Sequence, residues 1–60
     1  MQKSVLLVKT SSLGDIIHAL PAVSDMKRAL PGLHVEWVAE ESLVAIPRLH
    51  PGVAAVIPVA

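Results

Sequence analysis

Val5-Leu6-Leu7-Val8-Lys9-Thr10-Ser11-Ser12-Leu13-Gly14-Asp15-Ile16-Ile17 is the stretch that decides the fold. Its first four residues are an apolar run of strand length. A lysine and three hydroxyl side chains follow, and beyond Gly14 the apolar residues recur at helical spacing. The reading is a strand, a short polar loop and a helix start, with one carboxylate, Asp15, at the helix mouth. In an open α/β sheet, ligands bind outside the carboxyl ends of the strands, where such loops lie.

Outward from this stretch, residues 4–9 form a first strand. It does not alternate, so it is expected to be covered on both faces, as parallel strands are. The helix signal runs over about residues 14 to 30. Ile16, Leu20, Val23, Lys27 and Leu30 follow one stripe, widened by Ile17, Ala19 and Met26. Pro21 removes a backbone donor inside it, which predicts a kink or two helical pieces. Pro31-Gly32 stops the helix. His34-Val35-Glu36-Trp37-Val38-Ala39 reads as a second strand, residues 40–45 as a short helix broken before Pro47, His50-Pro51-Gly52 as a turn, and residues 54–59 as a third strand. This order suits right-handed parallel crossovers. The expected class is α/β, a Rossmann-like parallel sheet in the order β-α-β-α-β.

Sixty residues make at most one small domain, and a chain of this size buries only about 60% of its unfolded surface. Yet 53% of the residues are apolar. Together with the strand-like run over residues 56–60, this suggests a piece of a larger domain, its N-terminal part. Five basic and five acidic residues cancel. Without a basic stripe interleaved with aromatics, nucleic acid is a poor partner. The chain has no cysteine, so no disulfide framework exists. Residues 5–8 are too short for the apolar region of a signal peptide, and no apolar run reaches the roughly 18 residues of a membrane span. A cytoplasmic protein is the expectation.

The loop fits no standard phosphate-binding pattern. The dinucleotide fingerprint needs three glycines, and only Gly14 is present; a Walker A loop needs its lysine after the glycines, whereas Lys9 precedes the loop. What remains is a helix N-terminus that favours an anion. Asp15 then has two readings. It can be a first-turn carboxylate answering the helix field, or a general base within reach of a substrate hydroxyl. Thr10, Ser11 and Ser12 likewise serve either turn chemistry or a polyhydroxy ligand, with Lys9 placed to meet an anionic group. His18, one turn after Asp15, either touches the site or is an exposed helix histidine. His34 and His50 lie beside turns without metal-ligand spacing, so no zinc is expected. Trp37 reads as a core anchor between sheet and helix. Glu40 and Glu41 follow the second strand, where a dinucleotide fold would place a ribose-binding acid, but loop solvation or capping suits a chain without the fingerprint better.

The segment from Lys9 to Ala22, KTSSLGDIIHALPA, resembles the N-terminal signature of the ADP-heptose:lipopolysaccharide heptosyltransferases. Its core, Ser12-Leu13-Gly14-Asp15, resembles the wider family. The Lys9-Thr10-Ser11-Ser12 start and the Ile17-His18-Ala19-Leu20-Pro21 continuation resemble the type I members. The likeness continues through Val35-Glu36-Trp37-Val38-Ala39-Glu40-Glu41 and closes on Val56-Ile57-Pro58-Val59-Ala60, covering nearly the whole chain.

The resemblance implies the GT-B architecture, two Rossmann-like domains facing across a cleft, with the acceptor on the N-terminal domain and the nucleotide-sugar donor on the C-terminal one. Residues 1–60 would be the first part of the acceptor-binding domain, and ADP-heptose would be held by a domain outside this sequence. It implies inverting transfer of L-glycero-D-manno-heptose from ADP-heptose to the Kdo residue of the lipid A–Kdo inner core, with no metal or other cofactor. Asp15 matches the family's proposed catalytic base. Lys9, Ser11, Ser12 and Gly14 match the loop lining the cleft, with Thr10 and His18 as neighbouring substrate-binding candidates. The implied location is the inner face of the inner membrane, by peripheral contact, and sixty residues alone are expected to be inactive. Two rivals stand beside this reading: a nucleotide-binding Rossmann domain of an oxidoreductase using Glu40 or Glu41, and a non-catalytic α/β interaction module in which Asp15 only caps a helix.

Overall fold

The computed structural model describes residues 3–60. Strand β1 spans Ser4–Val8, helix α1 Leu13–Ala29 and strand β2 His34–Glu40; a 3₁₀ turn at Glu41–Leu43 leads into helix α2, Ala45–Arg48, and strand β3 covers Val53–Val59. The strands are parallel and lie in the order β1-β2-β3. This is the α/β arrangement expected from the alternation of strand and helix signals.

The register sets the two faces of the sheet. Val5 lies beside Val35, Leu7 beside Trp37 and Val56 beside Trp37 on the other side, so these residues share one face. Ile16 and Val23 of α1 meet that face, and with Leu33, Val35, Trp37 and Ala39 they form the buried core. Crossovers of one hand between strands laid down in sequential order put their helices on the same side. Within residues 3–60 the helices therefore cover one face of the sheet, where the unalternating β1 had suggested cover on both. Burial alternates along β1, and Leu6 and Val8 on the other face are 54% and 63% exposed.

Four further corrections concern the helices. α1 runs as one helix through Pro21, which overturns the second of the two readings, a kink or two helical pieces. The proline lies on the exposed side, where water can satisfy the carbonyl one turn earlier that loses its donor. Ile17 and Leu30, read as part of the buried stripe, are 48% and 45% exposed. After β2 the chain makes the 3₁₀ turn first, and Pro47 falls inside α2 rather than beyond its end. Its missing N–H costs nothing in a first turn, where that donor has no intrahelical partner. β1 and β3 span 4–8 and 53–59, each within a residue of its expected bounds. β3 departs from regular pairing between Val35 and Glu36 and carries Pro58, a residue suited to an edge strand.

Candidate active site

The candidate residues sit where β1 runs into α1. Lys9 N–H still donates to Val38 O at 3.3 Å, as the parallel ladder requires. The regular continuation would bring Glu40 N–H to Lys9 O. Instead Glu40 N–H donates to Thr10 O at 3.0 Å, and Lys9 O accepts the indole N–H of Trp37 at 3.0 Å. Residues 9 and 10 are thus held to β2 by three hydrogen bonds while residues 11 and 12 carry the chain over the carboxyl edge of the sheet. The Ser11–Ser12 peptide bond is cis.

Ser12 is the N-cap of α1, in extended conformation, and its carbonyl accepts Ile16 N–H at 2.9 Å. Asp15, three residues on, forms a capping box with it. Ser12 N–H and Ser12 Oγ approach Asp15 Oδ2 at 3.5 and 3.4 Å, and Lys9 Nζ lies 4.0 Å from the same oxygen. Contacts of this length orient a carboxylate without saturating it. The side chain is 59% exposed, all three contacts fall on Oδ2, and Oδ1 has no hydrogen bond among the described residues.

The other predicted residues make no hydrogen bond to this carboxylate among the described residues. Ser11 is exposed and Thr10 half-buried, its carbonyl engaged by Glu40. A Cβ placed on Gly14 would meet nothing within 4 Å, and no glycine of the chain has positive φ. Neither backbone conformation nor packing within these residues calls for glycine there. His18 is exposed on α1 and makes no hydrogen bond among the described residues. Glu40 and Glu41, with Ser42, Val59 and Ala60, line a shallow depression at the carboxyl ends of β2 and β3.

Reading the sequence missed three pairings. The hydrogen bond from Trp37 to Lys9 was one, although a buried indole N–H always raises the question of its acceptor. His50 joins α1 to the α2–β3 turn: its Nδ1 accepts Gly52 N–H at 2.8 Å, so in the neutral ring Nε2 carries the proton and donates to Ser24 Oγ at 2.8 Å. His34 Nε2 and Glu36 Oε2 pair at 2.8 Å on the open face of the sheet, away from the loop. Among the described residues no group of three or more His, Cys, Asp or Glu is arranged to hold a metal ion, and no helix is long and apolar enough to cross a membrane.

No family model matches the chain. Curated relatives do. Lipopolysaccharide heptosyltransferase 1 of Pseudomonas aeruginosa is 64% identical over 93% of this chain, and that of Escherichia coli K12 is 54% identical over the same share. The chain spans only 16% and 18% of their respective lengths. The structure superposes on Escherichia coli heptosyltransferase WaaC, solved with ADP and with ADP-2-deoxy-2-fluoro heptose, at a TM-score of 0.91 and 53% identity. That match covers 95% of this chain and 18–19% of WaaC. The resemblance to the lipopolysaccharide heptosyltransferases is therefore shown over nearly all of these residues, in sequence and in fold.

Proposed function

We propose that these sixty residues open the acceptor-binding domain of a type I lipopolysaccharide heptosyltransferase, a GT-B enzyme that moves L-glycero-D-manno-heptose from ADP-heptose to the Kdo residue of the lipid A–Kdo inner core. The observation that carries the chemistry is the convergence of Lys9 and Ser12 on one oxygen of an exposed Asp15 at the carboxyl edge of the sheet.

In this reading Asp15 is the general base. A hydroxyl of Kdo approaches the free side of the carboxylate, and its oxygen attacks the anomeric carbon of heptose. The bond from that carbon to the β-phosphate oxygen breaks, ADP leaves with the electron pair, and the hydroxyl proton passes to Asp15. Attack and departure on opposite faces invert the anomeric centre. Lys9 meets an anionic group of the acceptor, the hydroxyls of Thr10, Ser11 and Ser12 hydrogen-bond its oxygens, and the uncrowded backbone at Gly14 lets the sugar come close. His18 flanks the acceptor one turn further along α1. The nucleotide-sugar binds to the remainder of the protein; that WaaC was solved with ADP and with ADP-2-deoxy-2-fluoro heptose supports a nucleotide-heptose donor. Because the acceptor is a lipid, the protein works at the cytoplasmic face of the inner membrane by peripheral contact.

The oxidoreductase alternative lacks the glycine fingerprint. The test is to supply the full-length protein with ADP-heptose and Kdo–lipid A and to follow ADP release together with the mass of the lipid product. Gain of one heptose, dependent on Asp15, is the expected result. Binding of NAD(P) without heptose transfer would overturn the proposal, as would full transfer by an Asp15→Ala variant.

A further inference from the structure

We infer that Trp37 is a positioning residue for the reaction, acting on the base through the backbone of Lys9; this rests on the reading of Asp15 as that base. The indole is fully buried beneath the loop, and its N–H is the only polar atom it brings into the core. That N–H donates to Lys9 O, 28 residues away in sequence.

The carbonyl it takes is a particular one. Lys9 O is the acceptor that the parallel ladder between β1 and β2 would have given to Glu40 N–H. By accepting from the indole instead, Lys9 O leaves Glu40 N–H to Thr10 O one residue further on. The ladder slips by one residue at this point, β1 ends at Val8, and the chain turns out over the sheet edge toward Ser11 and Ser12. The slip fixes where the N-cap of α1 begins and where the Lys9 side chain leaves the sheet. Both Ser12 and Lys9 in turn contact Asp15 Oδ2. Those contacts are long and exposed, so they cannot fix the carboxylate unless their own backbone is fixed. One part-buried hydrogen bond, donated by a fully buried indole, supplies that rigidity. A base misplaced by about 1 Å loses a large part of its effectiveness.

The prediction separates the N–H from the ring. In the full-length protein, Trp37→Phe keeps an aromatic anchor and removes the donor. Replacing Trp37 with 3-benzothienylalanine keeps the bicyclic volume too, exchanging only the N–H for sulfur. Loss of one such hydrogen bond is expected to lower kcat about threefold to tenfold, with donor KM unchanged, in both variants. A residue that merely packs would affect stability and leave kcat per folded molecule unchanged. Because Trp37 acts through Asp15, its replacement should add little once Asp15→Asn has removed the base, so the two effects should fall well short of multiplying. If Asp15→Asn itself leaves kcat intact, the reading of Asp15 fails. If Asp15→Asn abolishes turnover while the benzothienyl variant keeps the wild-type kcat, or if the two effects multiply fully, the positioning role of Trp37 is overturned and the base stands.

Discussion

Toward its carboxyl-terminal end α1 is clasped, whereas at its start it is only loosely framed. Ser24 meets His50 at 2.8 Å, His50 in turn accepts from Gly52, and Lys27 donates to the carbonyls of Leu33 and Pro31 at 2.7 and 3.1 Å. A Cβ on Gly52 would lie 2.9 Å from the Lys27 side chain. At the other end, Lys9 and Ser12 stand 3.4–4.0 Å from Asp15, and Gly14 has open space above it. The two ends differ in what they leave free. At the first, Ser24, Lys27 and His50 have one another or backbone groups as partners. At the second, polar groups are gathered and aimed but unsaturated, so they can exchange partners with a substrate. The first end holds the fold together, and the second is the one proposed to do chemistry.

The largest effect should come from the open end. Asp15→Ala is expected to lower turnover of the full-length enzyme about 10²–10⁴-fold, with a change in stability below about 1 kcal/mol, the scale of a charge at a helix N-terminus. Steady-state kinetics beside thermal denaturation reads both. A variant with near-normal turnover and only a lower Tm would put Asp15 on the structural side.

The clasped end should show the opposite pattern. His50→Ala deletes two hydrogen bonds and should cost about 1–3 kcal/mol of stability; Gly52→Ala, which forces Cβ into Lys27 and His50, belongs in the same range. Denaturant unfolding of both variants should shift while kcat of the folded fraction holds. A drop in kcat without loss of stability would erase the distinction between the two ends.

Gly14→Ala sharpens the contrast, since it makes the same substitution where nothing crowds the new methyl. Stability should stay level or rise, by up to about 1 kcal/mol from helix propensity, while acceptor KM increases because the methyl occupies space the sugar needs. An unchanged acceptor KM would remove Gly14 from the binding surface. The smallest effect is expected of Ser11→Ala. Loss of one exposed hydroxyl is worth about 0.5–1.5 kcal/mol and should appear in acceptor KM alone. A rise in donor KM instead would move the loop to the nucleotide-sugar side of the cleft.

Much of this was legible in the sequence because it is local. The apolar run before Lys9, the switch to helical spacing at Ile16 and the stop at Pro31-Gly32 each act within a few residues, and they fix strand, loop and helix nearly to the residue. The position of the loop between β1 and α1 could be read in the same way. What could not be read depends on partners distant in sequence. Nothing near Lys9 says that its carbonyl will meet Trp37, or near Ser24 that it will meet His50. The exposed face of β1 was missed because Leu6 and Val8 are apolar whichever face is covered, and composition cannot tell which side the helices take. Pro47 was read as a helix end, and Pro21 as a kink or a break between two pieces, because the cost of a proline depends on where the orphaned carbonyl points and on its place in the turn, neither of which a pattern of residue types contains.

The central claim, that the loosely framed end of α1 performs the chemistry, is tested most directly by the single-turnover rate of Asp15→Asn with both substrates bound at saturation. Asparagine keeps the size of the side chain and an oxygen that can accept from Ser12 N–H, and removes its basicity together with its charge, a stability effect below about 1 kcal/mol at a helix N-terminus. The expected result is a rate at least 100-fold below wild type, in keeping with the loss of a positioned base, with substrate affinities and Tm close to wild type. A wild-type rate in that variant would contradict the claim and leave Asp15 as a helix cap.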